Sequence, residues 1–373
     1  MTGIPSLPPV AARAAAHVAA RPSRRFVLGG LTALALAPVL AACGESADGA
    51  ASPGVGDDAG GTVPAEKGAF PVTIKHKFGS TELTKAPARV VCVGLVEQDA
   101  LLALGIVPVG VTKWFGDAPG QIFPWATDAL GDGALPKVLN GDDGVKVEQV
   151  AALKPDLIIG QYAGLTQKEY DLLSKVAPTV AQSGEYVDYG MPWEESTLNI
   201  AKAVGRPAAG TKVVDDVTAV IEKAAADHPE FQDKQAIVVT PYEGIFVYGP
   251  QDPRGRIMSQ LGFTFPEKLL DPSSKEFGWS LSAERTSDLA DLGAVVWIDS
   301  EKAVDKGTGG LWAKTTAATQ GRGLFISDAD GAYYIGQSMV TPLSIPYVLE
   351  RYVPQLAAAI DGDPATPIPP AAA

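Results

Sequence analysis

Histidine and cysteine are scarce in this 373-residue chain, which has three of the first and two of the second. Only His76 and His228 fall beyond residue 42. That argues against a receptor or enzyme built on bare Zn²⁺ or Mn²⁺, whose ligands are several converging imidazoles, thiolates or carboxylates. Catalytic signatures are missing too: there is no Gly-x-Ser-x-Gly elbow, no P-loop and no Cys–His pairing. Gly307-Thr-Gly-Gly follows no clear strand and so is not a dinucleotide fingerprint, and Asp328-Ala-Asp-Gly lacks the remaining ligands of a Ca²⁺ loop. The first 42 residues contain no acidic side chain but carry Arg13, Arg21, Arg24 and Arg25. The apolar stretch that follows, Phe26 to Ala42, is broken by Gly29, Gly30 and Pro38. It is short for a hydrocarbon core of ~30 Å.

What is there instead is a basic segment, an apolar segment and small residues before a cysteine, the parts of a signal peptide. Ser23-Arg-Arg-Phe-Val-Leu28 resembles the twin-arginine export motif, and Leu40-Ala-Ala-Cys43 resembles the bacterial lipobox. The expectation is cleavage before Cys43 and a diacylglycerol on its sulfur, whose two chains suffice for stable anchoring. Residues 43–69, rich in Gly, Ala, Asp and Ser, read as a flexible tether. With Cys43 used as the anchor, Cys92 has no partner for a disulfide. Its place in Val90-Val-Cys-Val93 makes it a small buried residue.

Loss of the four arginines takes the net charge from −13 to −17. A surface so acidic excludes nucleic acid as a partner and binding to anionic lipid by charge. About 300 residues remain after the tether, enough for two domains with real cores.

Short apolar runs alternate with helical stretches along this body. Strands are expected at Arg89–Gly94, Val107–Thr112, Asp156–Gly160, Gln235–Thr240 and Ala294–Asp299. Helices are expected at Glu97–Leu104, Val147–Leu153, Gln167–Lys175, Arg256–Leu261 and Ser287–Leu292. Continuous apolar strands separated by helices imply parallel sheets covered on both faces. The second half repeats the order of the first, so the fold class is α/β with two Rossmann-like lobes. The N-terminal lobe would span 70–207 and the C-terminal lobe 229–358, with a loose tail over 359–373. Between them, Val213, Val214, Val217, Val220, Ile221 and Ala224 keep helical spacing after Pro207. A helix over 208–228 would be ~30 Å long and join the lobes. A last helix, Thr341–Ile360, would be kinked at Pro346 and Pro354.

Three segments, Arg89-Val-Val-Cys-Val-Gly-Leu, Asp99-Ala-Leu-Leu-Ala-Leu-Gly-Ile-Val-Pro-Val-Gly-Val and Leu153-Lys-Pro-Asp-Leu-Ile-Ile, come in this order before the connecting helix. Over residues 70–358 the chain resembles the lipoprotein substrate-binding components of bacterial ABC importers for iron-siderophores, haem and cobalamin, the ferric-siderophore branch above all. The resemblance implies two lobes on one rigid helix, a ligand cleft between them and small lobe motion on binding. It also implies no enzymatic activity and no cofactor. A ferric-siderophore would be the ligand, an ABC permease in the plasma membrane the partner, and the protein a monomer on the extracytoplasmic face. Haem or cobalamin as ligand, or an envelope binding protein without a transporter, remain open.

Ligands of open α/β sheets bind beyond the carboxyl ends of the strands. Trp114, Tyr162 and Tyr242 follow strands directly, Tyr333 and Tyr334 follow Leu324-Phe-Ile, and Trp279 precedes the helix leading to a later strand. These are candidate walls for a bulky chelate, packing against the lobe core being the competing reading. Arg254 and Arg256 are candidates for bidentate contact with an anionic chelate, against ordinary solvated arginines. The resemblance places permease-docking acids, one per lobe, at Glu169 and Glu284, with plain surface glutamates as the alternative.

Overall fold

The computed structural model describes residues 63–141 and 144–370. Cys43, the export segment and most of the expected tether lie outside the described residues. A hairpin, β1 (Val72–His76) and β2 (Gly79–Leu83), opens the body. Its inward residues, Ile74 and Leu83, join the core of the first sheet. That sheet has β3 (Val90–Cys92), β4 (Gly110–Thr112), β5 (Lys137–Leu139), β6 (Leu157–Gly160) and β7 (Thr179–Ala181). Its order is β5-β4-β3-β6-β7, every pair parallel. The buried valines and isoleucines of β3 and β6 form its centre, with Cys92 fully buried among them.

The second sheet has β8 (Ala236–Thr240), β9 (Ile245–Tyr248), β10 (Gly278–Leu281), β11 (Ala294–Trp297) and β12 (Gly323–Phe325), in the order β10-β9-β8-β11-β12. β8, β11 and β12 are parallel, whereas β9 runs antiparallel to both β8 and β10. The parallel character expected of this lobe therefore holds for three strands, and an antiparallel pair completes the edge. The cause is local. Only Pro241 to Gly244 separate β8 from β9, with Gly244 at φ 102, and so short a link can make a hairpin but not a crossover.

The longer helices are α1 (Glu97–Ala103), α2 (Val147–Ala152), α3 (Gln167–Leu173), α4 (Trp193–Ala203), α5 (Pro207–Asp227), α6 (Pro253–Gln260), α7 (Glu301–Gly307), α8 (Ala332–Met339) and α9 (Ser344–Ile360). The linker helix is α5, with Pro207 at its first position. Val217 and Ile221 face inward, and Gly210 lets α5 approach α4 so closely that a Cβ there would lie 2.2 Å from that of Ala201. Of the segment Ser287–Leu292, expected as a helix, only Ser287–Leu289 is helical, as the end of a 3-10 helix over Ala283–Leu289. Helix α9 continues through Pro354, and Pro346 sits in its first turn, where a missing N–H costs little.

Two boundaries differ from expectation. The last part of the expected tether is bound to the body: Val63 packs on the first core, and the Glu66 carboxylate accepts from the amides of Ala208 (2.7 Å) and Ala209 (2.9 Å). Those amides, led by Ala208, hold the Glu66 carboxyl below its ordinary range, and the carboxylate in turn caps the start of the linker helix. The described part of the tail is likewise fastened, Gln355 donating 2.7 Å to the carbonyl of Pro369.

Candidate functional site

At the carboxyl end of β4 the chain turns through Trp114 and Phe115. Gln121 fixes that turn: its Oε1 accepts from the amides of Trp114 (2.9 Å) and Phe115 (3.2 Å), and its Nε2 donates to the Phe115 carbonyl (3.0 Å). At the end of β6, Tyr162 is held by Glu97, whose Oε1 accepts from the Tyr162 amide at 2.8 Å. Glu97 can fold back there because residue 94 is glycine, since a Cβ at that position would lie 1.8 Å from Oε1. After β7, Tyr189 adopts φ 64, a left-handed conformation rare for an aromatic residue. The rings run in sequence from Phe115 to Trp114 (4.6 Å), Tyr162 (5.9 Å) and Tyr189 (5.1 Å), all buried.

The C-terminal lobe presents a facing set. Phe115 meets Tyr334 edge-on at 5.6 Å, and Tyr189 meets Phe277 at 5.8 Å. Behind them Arg254 lies 4.1 Å over the Tyr248 ring, with Nη1 2.9 Å and 2.8 Å from the two carboxylate oxygens of Asp252. Burial acts to lower the guanidinium pKa, but Asp252 and the neighbouring phenols outweigh it and keep the group charged. Burial pushes the Asp252 carboxyl up while Arg254 pulls it back. As arginine does not give up its proton in proteins, the two form an ion pair. Burial pushes the phenols of Tyr162, Tyr248 and Tyr334 up, so each is a neutral O–H.

Four buried polar atoms around this cluster have no partner among the described residues: Trp114 Nε1, Tyr162 Oη, Tyr248 Oη and Arg254 Nε. Each can donate a hydrogen bond. Rings from both lobes with unpaired donors among them suit a bulky ligand with oxygen acceptors on its surface.

The expected residues divide. Trp114, Tyr162, Arg254 and Tyr334 are brought together. Tyr333 is not: it points into the C-terminal lobe, where its hydroxyl donates to Gln355 at 2.6 Å. Neighbours in a helix diverge by about 100°, so Tyr333 and Tyr334 could not both face the cleft. Trp279 packs edge-on to Phe265 (6.0 Å) against that lobe's core, because β10 turns this face inward. Tyr242 is half-buried in the turn after β8, without a stacking contact to the cluster among the described residues. Arg256 stands at the rim, donating to the Gly190 carbonyl at 3.0 Å and lying 5.6 Å over Tyr186.

Sequence reasoning missed Phe115, Tyr189, Tyr248, Phe277, Gln121 and Asp252. Only Asp252 carried a legible signal, as an Asp before Pro253 is a helix N-cap pattern, and its side chain does accept from the Arg254 amide at 2.8 Å.

The sequence profile described as periplasmic binding protein matches residues 90–322, more than half of the chain. The chain belongs to the periplasmic binding protein family. A crystal structure of a periplasmic solute binding protein from Mycobacterium smegmatis is 34% identical, with a TM-score of 0.67, covering 78% of this chain and 98% of that one. PiaA of Streptococcus pneumoniae in complex with ferrichrome is 28% identical, with a TM-score of 0.68, covering 78% and 99%. In Bacillus subtilis, "Probable siderophore-binding lipoprotein YfiY" is 31% identical over 60% of this chain and 67% of its own length. The two sheets and the long helix of this periplasmic binding protein are the matching architecture.

On this periplasmic binding protein the two glutamates lie one per lobe. Glu169 is at the third position of α3 and completes a capping box with Thr166, accepting from its amide (2.9 Å) and hydroxyl (2.8 Å). Glu284 is exposed in the Ser282-capped turn. The two histidines sit away from the ring cluster: His76 bonds Thr81 at 3.0 Å, and His228 bonds Glu230 at 2.7 Å.

Proposed function

We propose that this protein is the substrate-binding component of an ABC importer. It binds a ferric siderophore between its lobes and hands it to a permease without catalysing a reaction. The observation that carries the reading is the joint wall of rings, Trp114 and Tyr162 from one lobe with Tyr334 and Tyr248 from the other, around unpaired donors. Aromatic faces give rigid apolar area at low entropic cost, and the donors meet the oxygen-rich surface of an iron chelate. Likeness to PiaA, crystallised with ferrichrome, and to YfiY supports the ligand class.

In this reading the mature protein is a monomer that begins at Cys43, lipidated on the outer face of the plasma membrane. The tether keeps it at high effective concentration near its permease. Glu169 and Glu284 are the docking charges.

The deciding experiment is a tryptophan-fluorescence titration with ferric hydroxamate, catecholate and mixed siderophores, with haem and cobalamin alongside. Trp114 sits against the expected ligand, so a ferric siderophore quenches it saturably. If no siderophore changes the emission, the ligand claim fails. In cells, Cys43→Ser abolishes acyl labelling, and persistent label in that variant would refute the anchor.

A further inference from the structure

Arg254 is the natural counter-ion for an anionic chelate, yet its charge is already matched. Nη1 contacts both oxygens of Asp252 at 2.8 and 2.9 Å, and the two side chains are 2% and 0% exposed. Asp252 cannot easily turn away, because it also caps α6 through the Arg254 amide at 2.8 Å. Arg256 is occupied at the rim by the Gly190 carbonyl and the Tyr186 ring. Asp299, two residues past β11, adds a negative charge that acts on both Tyr248 and Tyr334.

We propose that Asp252 is a specificity-determining residue, restricting this cleft to uncharged ferric chelates of the tris-hydroxamate class. The proposal rests on the ferric-siderophore reading above and deepens it. Three hydroxamates, each with one negative charge, cancel the charge of Fe(III). Three catecholates leave a triply negative complex, and citrate or pendant carboxylates leave an anion as well. Moving such an anion from water against rings whose buried cation, Arg254, is already matched is unfavourable. Arg254 still contributes, but through Nε–H, which has no partner among the described residues, toward a neutral oxygen. It acts as a hydrogen-bond donor and not as a counter-ion.

Titration of the full mature protein with four probes tests this: ferrichrome, a trihydroxamate of the same coordination carrying carboxylates, a ferric tris-catecholate, and ferric citrate. The carboxylated trihydroxamate separates charge from shape. Wild-type protein binds ferrichrome at least about a hundredfold more tightly than any anionic probe. Asparagine also caps helices well, so Asp252→Asn keeps the helix start while freeing the positive charge. It improves binding of the carboxylated trihydroxamate relative to ferrichrome by about tenfold. Equal or tighter binding of an anionic probe by the wild type overturns the proposal and leaves the siderophore reading standing. An unchanged ratio in a folded Asp252→Asn protein also overturns it. If no ferric chelate binds, both readings fall. Should the variant not fold, the wild-type ranking alone decides.

Discussion

Thr341, just before the last helix, donates a 2.5 Å hydrogen bond to Oδ2 of Asp99, in the first helix of the opposite lobe. The same oxygen accepts from Trp125 Nε1 at 2.7 Å, and Trp125 in turn lies 5.5 Å from Tyr347 of α9. One fully buried carboxylate thus joins the lobes. Its second oxygen, Oδ1, has no partner among the described residues, so a proton can reside there without disturbing either bond.

Burial raises the Asp99 carboxyl from its ordinary 3.8 to about 6, against the opposing bonds from Thr341 and Trp125. A raised folded-state pKa means that the group's stabilisation is complete below about pH 4 and is lost as pH rises through about 6. The cost at higher pH is about 3 kcal/mol. Glu97, raised by burial, acts in the same direction. Asp99→Asn keeps an acceptor and removes the charge. It therefore raises the melting temperature near pH 8 and flattens the melting profile between about pH 4 and 6. Asp99→Ala leaves the Thr341 and Trp125 donors unpaired and destabilises by about 1–3 kcal/mol below about pH 4, and the difference shrinks as pH rises because only the wild type then takes on the cost of the buried charge. A wild-type pH slope in Asp99→Asn, measured by calorimetry, would remove Asp99 as the source.

The aromatic cluster predicts a contrast between adjacent residues. Tyr334 faces Phe115 across the cleft, whereas Tyr333 is buried with Gln355. Tyr334→Ala weakens siderophore binding by about tenfold or more with little change in melting temperature. Tyr333→Ala lowers stability by about 3–5 kcal/mol, and the protein that remains folded binds normally. Fluorescence titration and thermal melts of the two variants check this, and the reverse pattern would place the cleft on the wrong face of α8.

How much of this was legible follows from the range of the forces. The strand at Val90–Cys92 and the helix Pro207–Asp227 were readable because apolar run and apolar period are local properties of sequence. The antiparallel edge had its signal in the four-residue turn at Pro241–Gly244, and the N-cap Asp252 in its Asp-Pro pair. The helix Trp193–Ala203 has a proline in place of a side-chain cap, so no capping pattern marked its start. The cleft was the least readable part. Phe115 touches Tyr334 and Tyr189 touches Phe277 only because two distant lobes are folded against each other. Choosing Tyr334 over Tyr333 needed the rotation of one short helix.

The junction of α4 and α5 makes the linker a rigid element. Gly210 sits where any Cβ would overlap Ala201, a neighbour that cannot rotate away. Gly210→Val destabilises by about 1–3 kcal/mol, and Gly210→Ala less, in spite of alanine's better helix propensity. With α5 so seated, a ligand is admitted by parting the Phe115–Tyr334 and Tyr189–Phe277 contacts and not by bending the helix. Small-angle scattering accordingly records only a slight change on adding ligand, while a large compaction would contradict a rigid linker.

The docking role proposed for Glu169 and Glu284 calls for substitutions matched to their surroundings. Glu169 is half of a capping box, so Glu169→Ala would confuse loss of charge with loss of helix α3. Glu169→Gln keeps both hydrogen bonds to Thr166 and removes only the charge. Glu284 accepts no capping bond, its turn being held by the Ser282 side chain, so Glu284→Gln is equally mild. Rim charges govern orientation and encounter at an interface, and the hydrogen bonds of both residues are to their own turns and neighbouring loop, not to the rings. Ferric-siderophore affinity of the double variant therefore stays within about twofold of the wild type, while stimulation of permease ATP hydrolysis falls by about tenfold. Full stimulation by the double variant at low and high salt would show that the permease does not read these two carboxylates. A loss of siderophore affinity would show that they serve the cleft instead.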